Sequence, residues 1–179
     1  MIAEIPEVGA AQIYPTWAGG GTVKLVIVGN DYLPASSSLI DAVKTKIDPV
    51  PGQGIGLAPI DHEVTVVAPT PRPLDVTISV DADTGYTKDS LKPAITSTIE
   101  AYFADRRKAW GVIDQTAGRD YAVKMVRAKI LARVLAIPGV VNANMPTFSQ
   151  NGQLIDGDVE LTFNSSTSEL PILGTVTVE

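Results

Sequence analysis

The chain has 179 residues, 45% of them apolar and 19% charged, which excludes a disordered chain and suffices for one ordinary domain or two small ones. A net charge of −6 argues against a polyanionic partner, and the absence of cysteine excludes a disulfide framework, a thiolate metal site and a cysteine nucleophile. No apolar run approaches the roughly 18 residues of a membrane span and no basic-then-apolar segment opens the chain, so the expectation is a soluble protein made in the cytoplasm.

The chain opens on Ile5-Pro6-Glu7-Val8-Gly9, which nearly repeats at Ile137-Pro138-Gly139-Val140-Val141. A proline just beyond an apolar helical stripe marks a helix-to-strand corner in the later copy. The earlier copy has no helix before it, so the chain is expected to begin inside a structural unit. Two copies point to duplication and not to a solenoid. Ala11 to Tyr14 and Thr22 to Val28 read as strands joined by a flexible, glycine-rich hairpin tip. Ser36-Ser37-Ser38 offers helix caps, and Leu39, Ile40, Val43 and Ile47 recur at helical spacing until Pro49.

A loop rich in glycine and proline, Asp48 to Pro59, leads to a strand at Val64 to Ala68. Pro69-Thr70-Pro71-Arg72-Pro73 then holds the chain extended into a strand from Leu74 to Val80. The domain boundary is placed here, dividing residues 1–70 from 71–179. The second unit is expected to carry a helix from Lys88 to Arg107, with Leu91, Ile95, Ile99 and Phe103 inward and Pro93 near its first turn. A second helix is expected from Arg119 to Ile137, its buried stripe formed by Val123, Val126, Ile130, Val134 and Ile137. Strands at Val140 to Met145, Val159 to Phe163 and Thr175 to Val178 follow, with a hairpin turn at Asn151-Gly152. The fold class is α+β: two small units of mixed or antiparallel sheet, each with helices packed on one face.

Residues capable of chemistry are present but poorly arranged for it. His62, the only histidine, stands between Asp61 and Glu63 at the start of a strand, where neighbours point to opposite faces and cannot orient it; it reads as a solvent-exposed side chain. Gly52-Gln53-Gly54-Ile55-Gly56 has a helix before it and a strand after it, the reverse of a phosphate-binding loop, and reads as a mobile surface loop. Asp81-Ala82-Asp83-Thr84-Gly85 lacks the glutamate six residues after the glycine that a calcium loop needs, and Asp156-Gly157-Asp158 reads as a turn. No Gly-x-Ser-x-Gly is present. Arg106-Arg107-Lys108 with Trp110 could bind phosphates, yet cations complementing a helix C-terminus explain it as well, with Trp110 closing over the apolar end.

Charge is uneven: residues 1–70 hold three Lys and seven acids, residues 71–138 eleven basic groups and eight acids, and residues 139–179 five acids and no base. Such asymmetry suits docking against copies or charged neighbours, and suits solvated faces equally.

Three segments taken together carry a family resemblance: Ala11-Gln12-Ile13-Tyr14-Pro15 with Gly20-Gly21-Thr22-Val23, the stretch from Val64 through the proline connector to Ile78, and the Ile137-Pro138-Gly139-Val140 corner. In this order they resemble the C-terminal part of the baseplate J-like proteins of contractile phage tails. The resemblance implies a structural wedge component that joins other wedge proteins and copies of itself around a sixfold axis, located in the virion tail and assembled in the host cytoplasm, without catalytic residues or cofactor. The sequence departs from the family in two places: the family's N-terminal portion is absent, and the loop from Val50 to Ile60 is longer than the family's usual link between helix and strand. The expectation is therefore a non-enzyme that takes no small-molecule substrate and no nucleic acid. Tyr14, Trp17, Arg106, Arg107 and Trp110 are the candidate contact residues. A receptor- or carbohydrate-binding tail module and a carboxylate-based hydrolase stand as alternatives.

Overall fold

The structure, a computed structural model, describes residues 5–114 and 120–179. It is α+β and resolves into two compact units, neither of them a single stretch of chain. Unit 1 comprises Met1–Pro71, Arg107–Ala122 and Thr162–Leu170; unit 2 comprises Arg72–Arg106, Val123–Leu161 and Pro171–Glu179.

In unit 1, β1 (Val8–Pro15) pairs antiparallel with β2 (Thr22–Gly29), and β3 (Glu63–Val67) pairs parallel with β2 on its other edge. Because β2 is central, it is apolar on both sides: Leu25 and Ile27 face one way, Val26 and Val28 the other, and all four are buried. The parallel crossover carries α1 (Ser37–Ile47), capped by the Ser36 hydroxyl, which accepts from the Leu39 N–H. Val43 and Ile47 of α1 join Leu25, Ile27, Val64 and Val66 in one core. A register shift between Val8 and Ala10 turns Val8 into that core, while Gln12 and Tyr14 point to the opposite face.

The loop after α1 is closely packed: the Ala58 N–H donates to the Ile47 carbonyl and the Asp61 N–H to the Gly52 carbonyl, both at 2.8 Å. Glycine is needed at Gly54, with φ +64°, because a Cβ would stand 2.8 Å from the Ile60 nitrogen. Gly56 likewise permits close approach, a Cβ there falling against the Ile47 carbonyl oxygen, whereas Gly52 faces open space.

In unit 2, β4 (Thr70–Ile78) absorbs the proline connector and buries Leu74, Val76 and Ile78, and β5 (Val80–Ala82) follows. Then come α2 (Lys88–Lys108), the short β6 (Ile113–Asp114) and β7 (Asp120–Tyr121), which pair with each other within unit 1, and, back in unit 2, β8 (Lys124–Met125) and α3 (Arg127–Val134). The order ends with β9 (Val140–Ala143), β10 (Thr147–Gln150), β11 (Gln153–Ile155), β12 (Val159–Glu160) and β13 (Glu169–Val178). Strands β11, β10, β4 and β13 form a four-stranded sheet, β5 pairs with β9, and β8 with β12. The expected stripe of α2, namely Leu91, Ile95, Ile99 and Phe103, is buried. A reciprocal cap between Thr87 and Ser90 starts this helix, so Pro93 lies inside it, beyond the first turn where it was expected.

The expected 119–137 helix shrinks to the eight residues of α3; Arg119 lies outside the described residues. Strand pairing claims the part before it, where Met125 pairs with Val159 and the Val123 carbonyl accepts from the Leu161 N–H, while residues 135–137 turn out of the helix. The start of α3 is met by side chains from elsewhere in unit 2: the Tyr102 hydroxyl accepts the Val126 N–H at 2.7 Å and Asp158 Oδ1 accepts the Arg127 N–H at 2.9 Å, Val126 itself having no side chain able to cap. Both corners of the sequence repeat close with the same hydrogen bond, Val8 N–H to the Ile5 carbonyl at 3.0 Å and Val140 N–H to the Ile137 carbonyl at 3.1 Å, but in different turns: Gly139 has φ +93° whereas Glu7 at the equivalent place does not take a positive φ.

Candidate interaction surface

Trp17 sits at the tip of the β1–β2 hairpin, 37% exposed. The tip is folded around Thr22: its hydroxyl accepts from the Ala18 N–H at 3.0 Å and donates to the Gly19 carbonyl at 2.7 Å, while the Thr16 N–H donates to the Thr22 carbonyl at 2.7 Å. It is thus an organised tip where a flexible one was expected. The Lys24 ammonium lies 5.3 Å from the Trp17 ring centre and donates to the Ser165 carbonyl. Tyr14, half-buried, meets the Tyr121 ring edge-on at 5.8 Å and donates to Gln12 Oε1. Burial pushes its phenol pKa up, the bond with Ser168 opposes this, and the nearby Tyr121 and Asp120 add to the rise.

Arg107 and Trp110 are buried, and Trp110 belongs to the core of unit 1: its Nε1 donates to the Glu169 carbonyl at 2.8 Å. It has no exposed surface with which to meet another chain. Arg106, in unit 2, is half-buried with its guanidinium 5.7 Å from the Tyr102 ring centre, and Arg133 stands 5.1 Å from the same ring while bonding Asp105 at 2.7 Å.

The polar centre of unit 1 is Gln12, which no local pattern marks as buried although it lies within the Ala11 to Pro15 segment. It is wholly buried; its Nε2 donates to the Trp110 carbonyl at 2.8 Å, and its Oε1 accepts from Tyr14 at 2.9 Å and from Ser168. The described residues of 107–114 and 120–122, with segment 162–170, thereby lie against the sheet face opposite α1. On the β1 edge, the Ile13 N–H is taken by the Tyr121 hydroxyl at 2.9 Å, which closes part of the edge that strand addition would need.

On the α1 side lies an open apolar groove of about 620 Å³ between β1, the end of α1 and the loop before β3. Ile13 and Leu57, 48% and 43% exposed, stand on its two sides with Ala11 and Val23 along its floor. His62 reaches its rim and is exposed, with Nδ1 3.1 Å from the Ile60 carbonyl. Among the described residues no three His, Asp or Glu gather in a manner that would hold a metal ion, and no helix is long and apolar enough to cross a membrane. The geometry offers apolar surface and an aromatic tip, which are contact features.

The baseplate J-like central domain matches residues 1–68 and the baseplate J-like protein C-terminal domain matches residues 74–179; the chain belongs to the baseplate J-like family. It is similar to the phage-like element PBSX protein XkdT of Bacillus subtilis, 39% identical over 100 residues, a match covering 56% of this chain and 29% of that protein. It is also similar to the baseplate protein gp47 of Escherichia phage Mu, 33% identical over 106 residues, covering 56% and 28% of the two chains. The matches span less than a third of the length of these relatives. A chain in the cryo-EM structure of the anti-feeding prophage baseplate shares the fold, with a TM-score of 0.52 at 13% identity, covering 95% of this chain and 35% of that one.

Proposed function

We propose that the chain serves as a structural component of a contractile phage or prophage tail baseplate, acting through protein contacts and without catalysis. The observation that carries this reading is the succession of two baseplate J-like domains along nearly all of the sequence. Its physical support is a surface whose exposed apolar groups, among them Trp17, Ile13 and Leu57, suit contact better than turnover. The family matches end at 68 and resume at 74, which supports a sequence division near Thr70. On this reading its partners are other wedge proteins and copies of itself around a sixfold axis, brought together in the host cytoplasm before the tail enters the virion.

Trp17, with Tyr14 supporting the same hairpin and Arg106 as a further contact, contributes to those interfaces. Co-purification with the tail proteins encoded beside it tests the reading: a reproducible complex of fixed composition is expected, weakened by Trp17→Ala. Failure of every such protein to associate, with this chain folded, refutes it; a complex indifferent to Trp17→Ala removes only the hairpin tip from the interface.

A further inference from the structure

We propose that the outer edge of β13 in unit 2 pairs antiparallel with the same edge of a second copy of this chain, centred on Val176. β13 stands last in the order β11-β10-β4-β13, so one side of it meets β4 and the other meets no strand. Its end shows which side is which: the Glu179 N–H donates to the Ile78 carbonyl and the Glu179 carbonyl accepts from the Val80 N–H, both at 2.9 Å. Backbone direction alternates along a strand, so Thr177 and Thr175 share that side, and the Thr175 N–H goes to the Asp75 carboxylate at 2.7 Å. Gly174, Val176 and Val178 therefore turn their N–H and C=O groups outward, where no described residue bonds them. Gly174, Thr175 and Thr177 are exposed, so the way to this row is open.

A row of unpaired backbone groups is matched by another extended strand, and proteins ordinarily screen such rows against it. Other edges of this chain are screened. On β1 the Ile13 N–H is taken by the Tyr121 hydroxyl; on β3 the Val64 N–H donates to Asp48 Oδ2 at 2.9 Å and the Val64 carbonyl accepts from Lys44 Nζ at 2.6 Å. The β11 edge is only three residues long. From Ile172 to Val178, by contrast, β13 has neither charge nor proline and holds five β-branched residues in seven, a sequence suited to pairing and carrying none of the usual deterrents.

The edge fits itself. About a two-fold axis through Val176, each outward residue meets a counterpart: Val176 faces the second Val176, Gly174 faces Val178, and Thr175 faces Thr177. Side chains alternate, so Val176, which is buried, continues the apolar layer across the junction, while the exposed threonines line the solvent face. Glu179 falls opposite Leu173, so no like charges meet in the pair even though the chain carries a net charge of −6. A strand pair of this length makes a small contact, and the association is weak and concentration-dependent. The inference stands on unit 2 alone and does not depend on the baseplate reading.

Sedimentation velocity on the full chain, followed up to about 1 mM, should show reversible exchange between monomer and dimer. Thr175→Lys combined with Thr177→Lys sets like charges against each other twice per dimer and should weaken association about tenfold. Thr175→Lys combined with Thr177→Glu sets opposite charges together at the same two places and should associate at least as well as the parent. The first combination reduces the net negative charge and the second leaves it unchanged, so a non-specific charge effect would run the other way. Both positions are exposed, and circular dichroism should show both variants folded. The proposal is overturned if the chain is monomeric at about 1 mM, if the like-charge variant associates as the parent does, or if the opposite-charge variant associates no better than the like-charge one.

Discussion

The side-chain amide of Gln12 on β1 donates to the backbone carbonyl of Trp110, 98 positions later, across 2.8 Å of a fully buried site. The Gln12 oxygen meanwhile accepts from Tyr14 and Ser168, so one side chain ties the first strand to two later segments of unit 1. An amide here satisfies donors and acceptors that water cannot reach.

Replacing Gln12 by Ala is expected to cost about 1–3 kcal/mol, because the Trp110 carbonyl is left buried with one partner fewer. Trp110→Ala should cost about 3–5 kcal/mol through the cavity it leaves. Urea denaturation checks both: the midpoint should fall while the slope is retained.

Asp48 ends α1 and is buried, its Oδ2 accepting from Lys44 Nζ at 2.7 Å and from the Val64 N–H at 2.9 Å. Burial acts to raise its pKa, but Lys44, the Val64 N–H and the Gly52 N–H outweigh it and hold the carboxyl below its ordinary value. A pKa lower in the folded than in the unfolded chain means that the stabilisation is present above the unfolded value near 4 and is lost as pH falls through the folded value. Thermal melts at descending pH should therefore show a loss of stability beginning near pH 4. Asp48→Asn should be less stable than the parent at pH 7, with a flatter acid dependence.

Tyr102→Phe removes the hydroxyl that accepts the Val126 N–H ahead of α3 and keeps the ring that meets Phe103 edge-on at 6.2 Å. A loss of about 1 kcal/mol is expected. Faster amide exchange at Val126 and in the first turn of α3 would localise the effect, and unchanged exchange there would contradict the capping role.

The β10–β11 hairpin turns on Asn151 and Gly152, with φ of 51° and 75° between the paired Gln150 and Gln153. Both angles lie in the left-handed region that a two-residue turn of this type demands. Gly152→Ala should destabilise the chain by about 1 kcal/mol, whereas Asn151→Gly should be close to neutral. Comparison of their denaturation midpoints tests the pair.

That turn was legible in the sequence because two adjacent residues specify it, and the same holds for the Ser36 cap and for the α2 stripe at Leu91, Ile95, Ile99 and Phe103. The four-residue spacing of Ile130 and Val134 was also legible. The helix start was not, since Val123 and Met125 continue the apolar pattern while bonding to Leu161 and Val159, more than thirty positions away. Trp110 beside Arg106 and Arg107 read as a contact residue closing over a helix end; its full burial in unit 1 follows from Gln12 and Glu169, which no local pattern reveals.

The sequence by itself determined the α+β class, the order of the main elements, the duplicated corner and the family, because each depends on residue type and spacing within a turn or two of chain. Only the tertiary structure decided that segments 107–122 and 162–170 complete unit 1, that Gln12 is its polar knot, and that α1 leaves an apolar groove beside β1. The physical reason is that periodicity states which face of an element is apolar, while the partner of that face is selected by packing and hydrogen bonding among residues far apart in the chain.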